Sequence, residues 1–261
     1  MEQRMRPVPY LGITDFTSAS QAERMLRVFN AHKKPTSRRK LHVGVMMSYK
    51  TLRGIPSPWA SIFPKNDEIE GIFPSEETMN CIHYADYEGN PGLEESLKMA
   101  IRFGGKNINA LQLDMVWPNP SEVAMAVTRD NCDFKVILQI GKNSFDQCNN
   151  NPTQVAARTL TYEGVVDYVL LDKSMGMGKG MDAIGLIPFA YEIWEKLPNI
   201  GIATAGGLGP TSIHLIGPLE EAFEEISYDA QGQLRPSKNI RDPIDWNMAE
   251  EYIIQALRVL K

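Results

Sequence analysis

One carboxylate in this sequence directly follows an apolar run. Tyr168-Val169-Leu170-Leu171 leads straight into Asp172. A carboxyl group at the edge of such a run is partly desolvated, which raises its pKa toward the range useful to a general acid. The competing reading of Asp172 is a cap on the turn that follows. Next comes Lys-Ser-Met-Gly-Met-Gly-Lys-Gly at 173–180, with glycines at Gly176, Gly178 and Gly180. Those glycines would let a lid close and let backbone amides approach an anion, while Lys179 supplies charge; ordinary surface turns use the same residues.

Three further segments carry candidate chemistry. Ala203-Thr204-Ala205-Gly206-Gly207-Leu208-Gly209-Pro210 runs from an apolar stretch through paired glycines toward a helix start. Amides at Gly206 and Gly207 could face a phosphate there, or the glycines could serve only close packing. Gln112-Leu113-Asp114 ends another apolar stretch, which would aim Asp114 into the mouth of a site. In Tyr49-Lys50-Thr51-Leu52-Arg53, Arg53 could pair bidentately with a substrate carboxylate, although a lone loop arginine is more commonly solvated.

What must position these groups is a repeat of short β-branched runs alternating with helical periodicity, the pattern of βα units around a parallel sheet. The strands are predicted at 8–13, 41–47, 80–85, 108–113, 134–140, 167–171, 200–204 and 222–227. Helices are predicted at 20–29, 93–103, 121–131, 152–162, 184–197 and 210–216, with 246–260 closing the ring. Eight parallel strands with short connections close most readily into a (β/α)₈ barrel, an α/β TIM-barrel fold, here a single domain over 1–261. Each candidate then lies at the carboxyl end of a strand, the face on which such barrels do chemistry, with phosphate sites after strands seven and eight. The proline-rich stretch 48–78 is predicted to be a long loop over the mouth or a shortened second helix.

Composition narrows the partners. The chain has 261 residues, 43% hydrophobic and 23% charged, with a net charge of -5, which suits a soluble globular protein and disfavours nucleic acid or an anionic membrane surface. The basic run at 33–40 reads as a solvated turn between a helix and a strand. Cys81, Cys132 and Cys148 are odd in number and widely spaced, which suggests neither a disulfide framework nor a metal site. No cofactor is expected. The first residues lack the apolar run of a signal peptide, and no long apolar stretch follows, so a cytoplasmic protein is expected. The residues do not set the oligomeric state; a homodimer is compatible with them.

In this order the motifs resemble the phosphoribosylanthranilate isomerase family, nearly end to end. The family's Lys-Ile-Cys-Gly-Ile-Thr is matched by Pro9-Tyr10-Leu11-Gly12-Ile13-Thr14, and its Pro-Lys-Ser-x-Arg-x-Ile by Lys50-Thr51-Leu52-Arg53-Gly54-Ile55. Its Val-Gln-Leu-His-Gly is similar to Leu111-Gln112-Leu113-Asp114-Met115. Its Leu-Leu-Asp with a following glycine-lysine loop resembles Leu170-Leu171-Asp172 with Gly176, Gly178, Lys179 and Asp182, and Gly-Gly-Leu-x-Pro recurs at 206–210.

The resemblance implies an Amadori-type aldose–ketose isomerisation of a phosphorylated sugar, in tryptophan biosynthesis if the chain is orthodox. It implies Asp172 as the acid that opens the sugar ring, Arg53 on the substrate carboxylate with Lys50 in the same motif, and the loop of Gly178 and Lys179 over the substrate. The family's catalytic cysteine falls on Leu11, which cannot move a proton, so Asp114 and Asp15 are the nearest replacement bases. The eighth strand's motif also departs: it keeps a glycine, Gly232, for the phosphate beside Gly206 and Gly207, but adds Asp229. Two alternatives follow from these departures: a related barrel enzyme with a different small phosphorylated substrate, or a catalytically silent metabolite-binding barrel.

Overall fold

The computed structural model describes residues 6–75, 77–127, 134–173 and 180–260. The strands are β1 (Tyr10–Thr14), β2 (Lys40–Ser48), β3 (Met79–Ala85), β4 (Ala110–Asp114), β5 (Lys135–Ile140), β6 (Tyr168–Leu171), β7 (Gly201–Ala205) and β8 (Ser227–Ala230). Each pairs in parallel with the next, and β8 returns to β1, so the described strands form a closed barrel. The helices are α1 (Ala19–His32), α2 (Tyr49–Leu52), α3 (Ile69–Ile72), α4 (Leu93–Gly104), α5 (Pro120–Ala126), α6 (Lys142–Gln147), α7 (Pro152–Thr159), α8 (Ala183–Lys196), α9 (Gly217–Ala222) and α10 (Trp246–Val259). Among the described residues no helix is long and apolar enough to cross a membrane.

Local sequence explains several helix starts. Pro120 and Pro152 occupy first-turn positions where no amide hydrogen is needed, and the preceding Asn119 and Asn151 side chains accept from the amides of Ser121 and Gln154. Asp245 does the same for α10, accepting from the amides of Asn247 and Met248. That last helix closes the ring as expected: Trp246 packs on Phe16 and Glu250 pairs with Arg24 of α1.

Strand alternation sorts side chains between two cores. Leu11 and Ile13 face the helical layer, whereas Tyr10, Cys81, Ala110, Ile137, Tyr168 and Leu170 form an apolar cluster inside the barrel. Above that cluster the interior is polar. Gly12 and Gly44 make room for it: a Cβ on Gly12 would lie 2.5 Å from an Asp229 oxygen, and one on Gly44 would lie 2.5 Å from Thr14 Oγ1.

Three expectations need correction. The eighth strand is Ser227–Ala230 rather than 222–227. The apolar run there is the end of α9 followed by a turn with Glu225 at φ 58°, and the true strand buries Ser227 and Asp229, which apolar patterning does not register. The helix expected at 210–216 is a turn and a single 3₁₀ turn, Ile213–Ile216, ahead of α9. The basic run at 33–40 is a brace, since Arg39 is buried and donates to the carbonyls of Tyr10 and Ile226 beneath the barrel. The stretch after β2 is indeed mostly irregular and carries Trp59 and Phe63 to the barrel mouth.

Candidate functional site

The carboxyl ends of the strands enclose a cavity of about 290 Å³. Its best-ordered feature is a chain of side chains from β3, β4 and β5. Gln112 donates one amide hydrogen to Gln139 Oε1 at 2.8 Å and the other to His83 Nδ1 at 3.1 Å. An accepting Nδ1 leaves the proton of a neutral ring on Nε2, which lies 3.2 Å from Asp114 Oδ2. The Tyr87 hydroxyl also donates to that oxygen. Both bonds fall on Oδ2, so Oδ1 of Asp114 has no protein donor among the described residues.

Burial alone would lower the His83 pKa, but the hydrogen bond to Asp114 and the charges of Asp114, Asp229 and Asp15 together raise it above its usual value. Tyr87 is shifted upward by burial and by the neighbouring carboxylates Asp114 and Asp172. His42, deeper in the barrel, goes the other way: burial and then the charge of His83 pull it to about 3, so it is neutral.

Asp172 stands where the sequence puts it. Its amide donates to the Ile140 carbonyl at 3.1 Å, extending the β5–β6 ladder by one residue, and it lines the cavity. Asp114 and Asp15 line the same cavity. Arg235, itself buried, and the Gln231 amide at 2.9 Å hold Asp15 through its Oδ2. Asp229 is an interior residue rather than a loop carboxylate beside a phosphate. Thr14 donates to its Oδ2 at 2.9 Å, and burial pushes its pKa up to about 6.

The rim carries the expected glycines. Gly206 and Gly207, at φ 99° and 71°, turn the chain after β7 in a conformation that disfavours other residues, and both line the cavity with Gly232 and Lys238. The helix amino terminus expected to complete an anion cup is missing, because only the short 3₁₀ turn follows. Lys50 lines the cavity but pairs with Glu88 at 2.6 Å.

Arg53 is not among the cavity-lining residues. Its Nη2 donates to Ser96 of α4 at 2.9 Å and its guanidinium lies over the Tyr49 ring. The four-residue helix α2 carries it off the mouth, which corrects its expected place on a substrate carboxylate. Gly178 and Lys179 lie outside the described residues.

Leu11 needs a second correction. It is fully buried in the helical layer, while its neighbours Tyr10 and Gly12 face the barrel interior. A side chain at 11 therefore points away from the cavity whatever its chemistry. His83, Tyr87, Gln112 and Gln139 are the site residues that sequence reasoning missed. The signal available for His83 was its place two residues before the end of a strand, where it shares parity with the mouth.

Neither a family model nor a curated protein matches this sequence. Solved structures do, 198 chains in all. One is QR15, described as an aldolase, with a TM-score of 0.52 and 9% identity, covering 88% of this chain and 92% of that one. A likeness so remote and so widely shared shows the barrel and says nothing of the chemistry.

Proposed function

We propose that the chain is a proton-transfer enzyme that isomerises a small phosphorylated sugar in the manner of phosphoribosylanthranilate isomerase, with Asp172 as acid and Asp114 as base. The observation that carries this reading is that Asp172, Asp114 and the Gly206–Gly207 turn line one cavity. His83 and Tyr87 fix the Asp114 carboxylate through Oδ2, which leaves Oδ1 to take a proton from substrate. Gly206, Gly207, Gly232 and Lys238 are the groups for the phosphate. Lys173, next to Asp172, is not among the cavity-lining residues; its Nζ is 3.3 Å from the Gly185 carbonyl and lies over the Phe189 ring.

Two placements set limits on the tryptophan-pathway version: Arg53 is off the mouth and position 11 faces outward. The test is the loss of phosphoribosylanthranilate fluorescence with purified protein, alongside a panel of aldose phosphates. The Asp172→Asn and Asp114→Asn variants should each lose about 10²- to 10⁴-fold in turnover. Absence of turnover on phosphoribosylanthranilate alone would move the assignment to another aldose phosphate, and absence on the whole panel would favour a silent metabolite-binding barrel.

A further inference from the structure

We propose that the side of the mouth over β2–β4 is a subsite for a flat aromatic group without negative charge, and that Trp59 and Phe63 are the residues that select it. The inference deepens the isomerase reading by naming the group its sugar phosphate carries, and rests on that reading.

The cavity lining divides by strand. The segment after β2 contributes Tyr49, Trp59 and Phe63 and the end of β4 contributes Met115 and Val116, whereas the loops after β7 and β8 contribute glycines and Lys238. Trp59 and Phe63 stack on each other, with ring centroids 5.5 Å apart and planes 16° apart, and Arg241 of the loop after β8 lies over the Trp59 ring at 5.6 Å. Both rings are half-buried rather than sealed in a core, so a molecule in the cavity can touch them. Aromatic side chains held parallel at a cavity wall favour a flat ring, which gains both burial and stacking.

Charge decides which flat ring. On this side Asp86, Glu88 and Asp114 line the cavity, and Lys50 is the only lysine or arginine that does so among the described residues. Lys50 is taken by Glu88 at 2.6 Å. Asp86 is buried and accepts only from neutral donors, the amides of Glu88 and Asn90 and the Asn90 side chain. Protonated His83 would add one positive charge, and the carboxylates would still outnumber the cations. Arg53 does not line the cavity and is stacked on Tyr49. A carboxylate on the ring would therefore meet like charge in a partly desolvated place. Lys238, by contrast, has no carboxylate partner among the described residues and sits on the β8 loop, so the anionic end of a ligand belongs there.

The experiment is an NMR titration of the full-length protein with 2-aminobenzamide and 2-aminobenzoate, which share a ring and an amine and differ in charge. The Trp59 indole N–H and the Met115 methyl report on the ring subsite, and the Gly206 and Gly207 amides report on a third probe, inorganic phosphate. The amide should shift Trp59 and Met115 saturably and bind about tenfold or more tighter than the benzoate.

Trp59→Leu and Phe63→Leu keep apolar bulk and remove a flat face, and each should weaken the amide by about threefold to tenfold, read at Met115. Glu88→Gln releases Lys50 and should strengthen the benzoate several-fold relative to the amide. Thermal melting checks folding, and if one leucine variant fails to fold the other decides. The proposal is overturned if neither probe shifts Trp59 or Met115, if the benzoate binds as tightly as the amide, or if the folded leucine variants bind undiminished. Loss of ring selectivity with phosphate binding and turnover intact strikes this inference alone, whereas absence of turnover with ring selectivity intact strikes the isomerase reading.

Discussion

A single imidazole in this cavity answers to three carboxylates. His83 touches Asp114 directly and feels Asp229 and Asp15 through space, and together these outweigh the burial that would otherwise keep it neutral. Its ring should therefore titrate above the usual value of about 6.5. Asp114→Asn removes both the largest raising hydrogen bond and the largest raising charge, so the ring's pKa should fall. Ring-proton NMR titration of the two proteins checks this without a substrate. A value that does not move would mean that Asp114 is not the partner that holds His83. Protonation also converts Nδ1 from acceptor to donor, which opposes the present Gln112 amide, so the Gln112 side-chain signal should respond over the same pH range.

At the scale of elements, strand parity decides which sequence matches mean anything. The eight-strand rhythm was legible because six of the strands bury β-branched residues and β4 buries leucines, and Asp172 was legible because it directly follows such a run. Asp229 was not, because β8 is short and half polar, and the apolar residues before it belong to α9. His83 and Gln112 were hidden inside strands, where sequence alone does not say which parity faces inward. The misplacement of Leu11 follows from the same ambiguity, since a one-residue shift in phase exchanges the two faces. Leu11→Cys tests the point. With the side chain in the helical layer, the thiol should resist disulfide reagents in the native protein, confer no gain in turnover, and cost about 2 kcal/mol for the lost packing. Rapid modification of the native thiol would put position 11 in the mouth and restore the family's cysteine correspondence.

For the molecule as a whole, the polar barrel interior carries a stability cost that depends on pH. Asp229 has its pKa raised to about 6 by burial, above an unfolded value of about 3.8. Between those values the folded state binds more protons than the unfolded chain, so stability falls as pH rises through this window and the contribution is flat above it. Two pKa units correspond to on the order of 3 kcal/mol, net of the favourable Thr14 hydrogen bond and His83 charge. Asp229→Asn cannot ionise and should lack this slope. The difference in unfolding free energy between variant and wild type should move in the variant's favour from pH 4 to pH 6 and hold constant to pH 8. Denaturant unfolding of both proteins across that range measures it. A constant difference throughout would show that the interior of the barrel accommodates the Asp229 charge as well as water does.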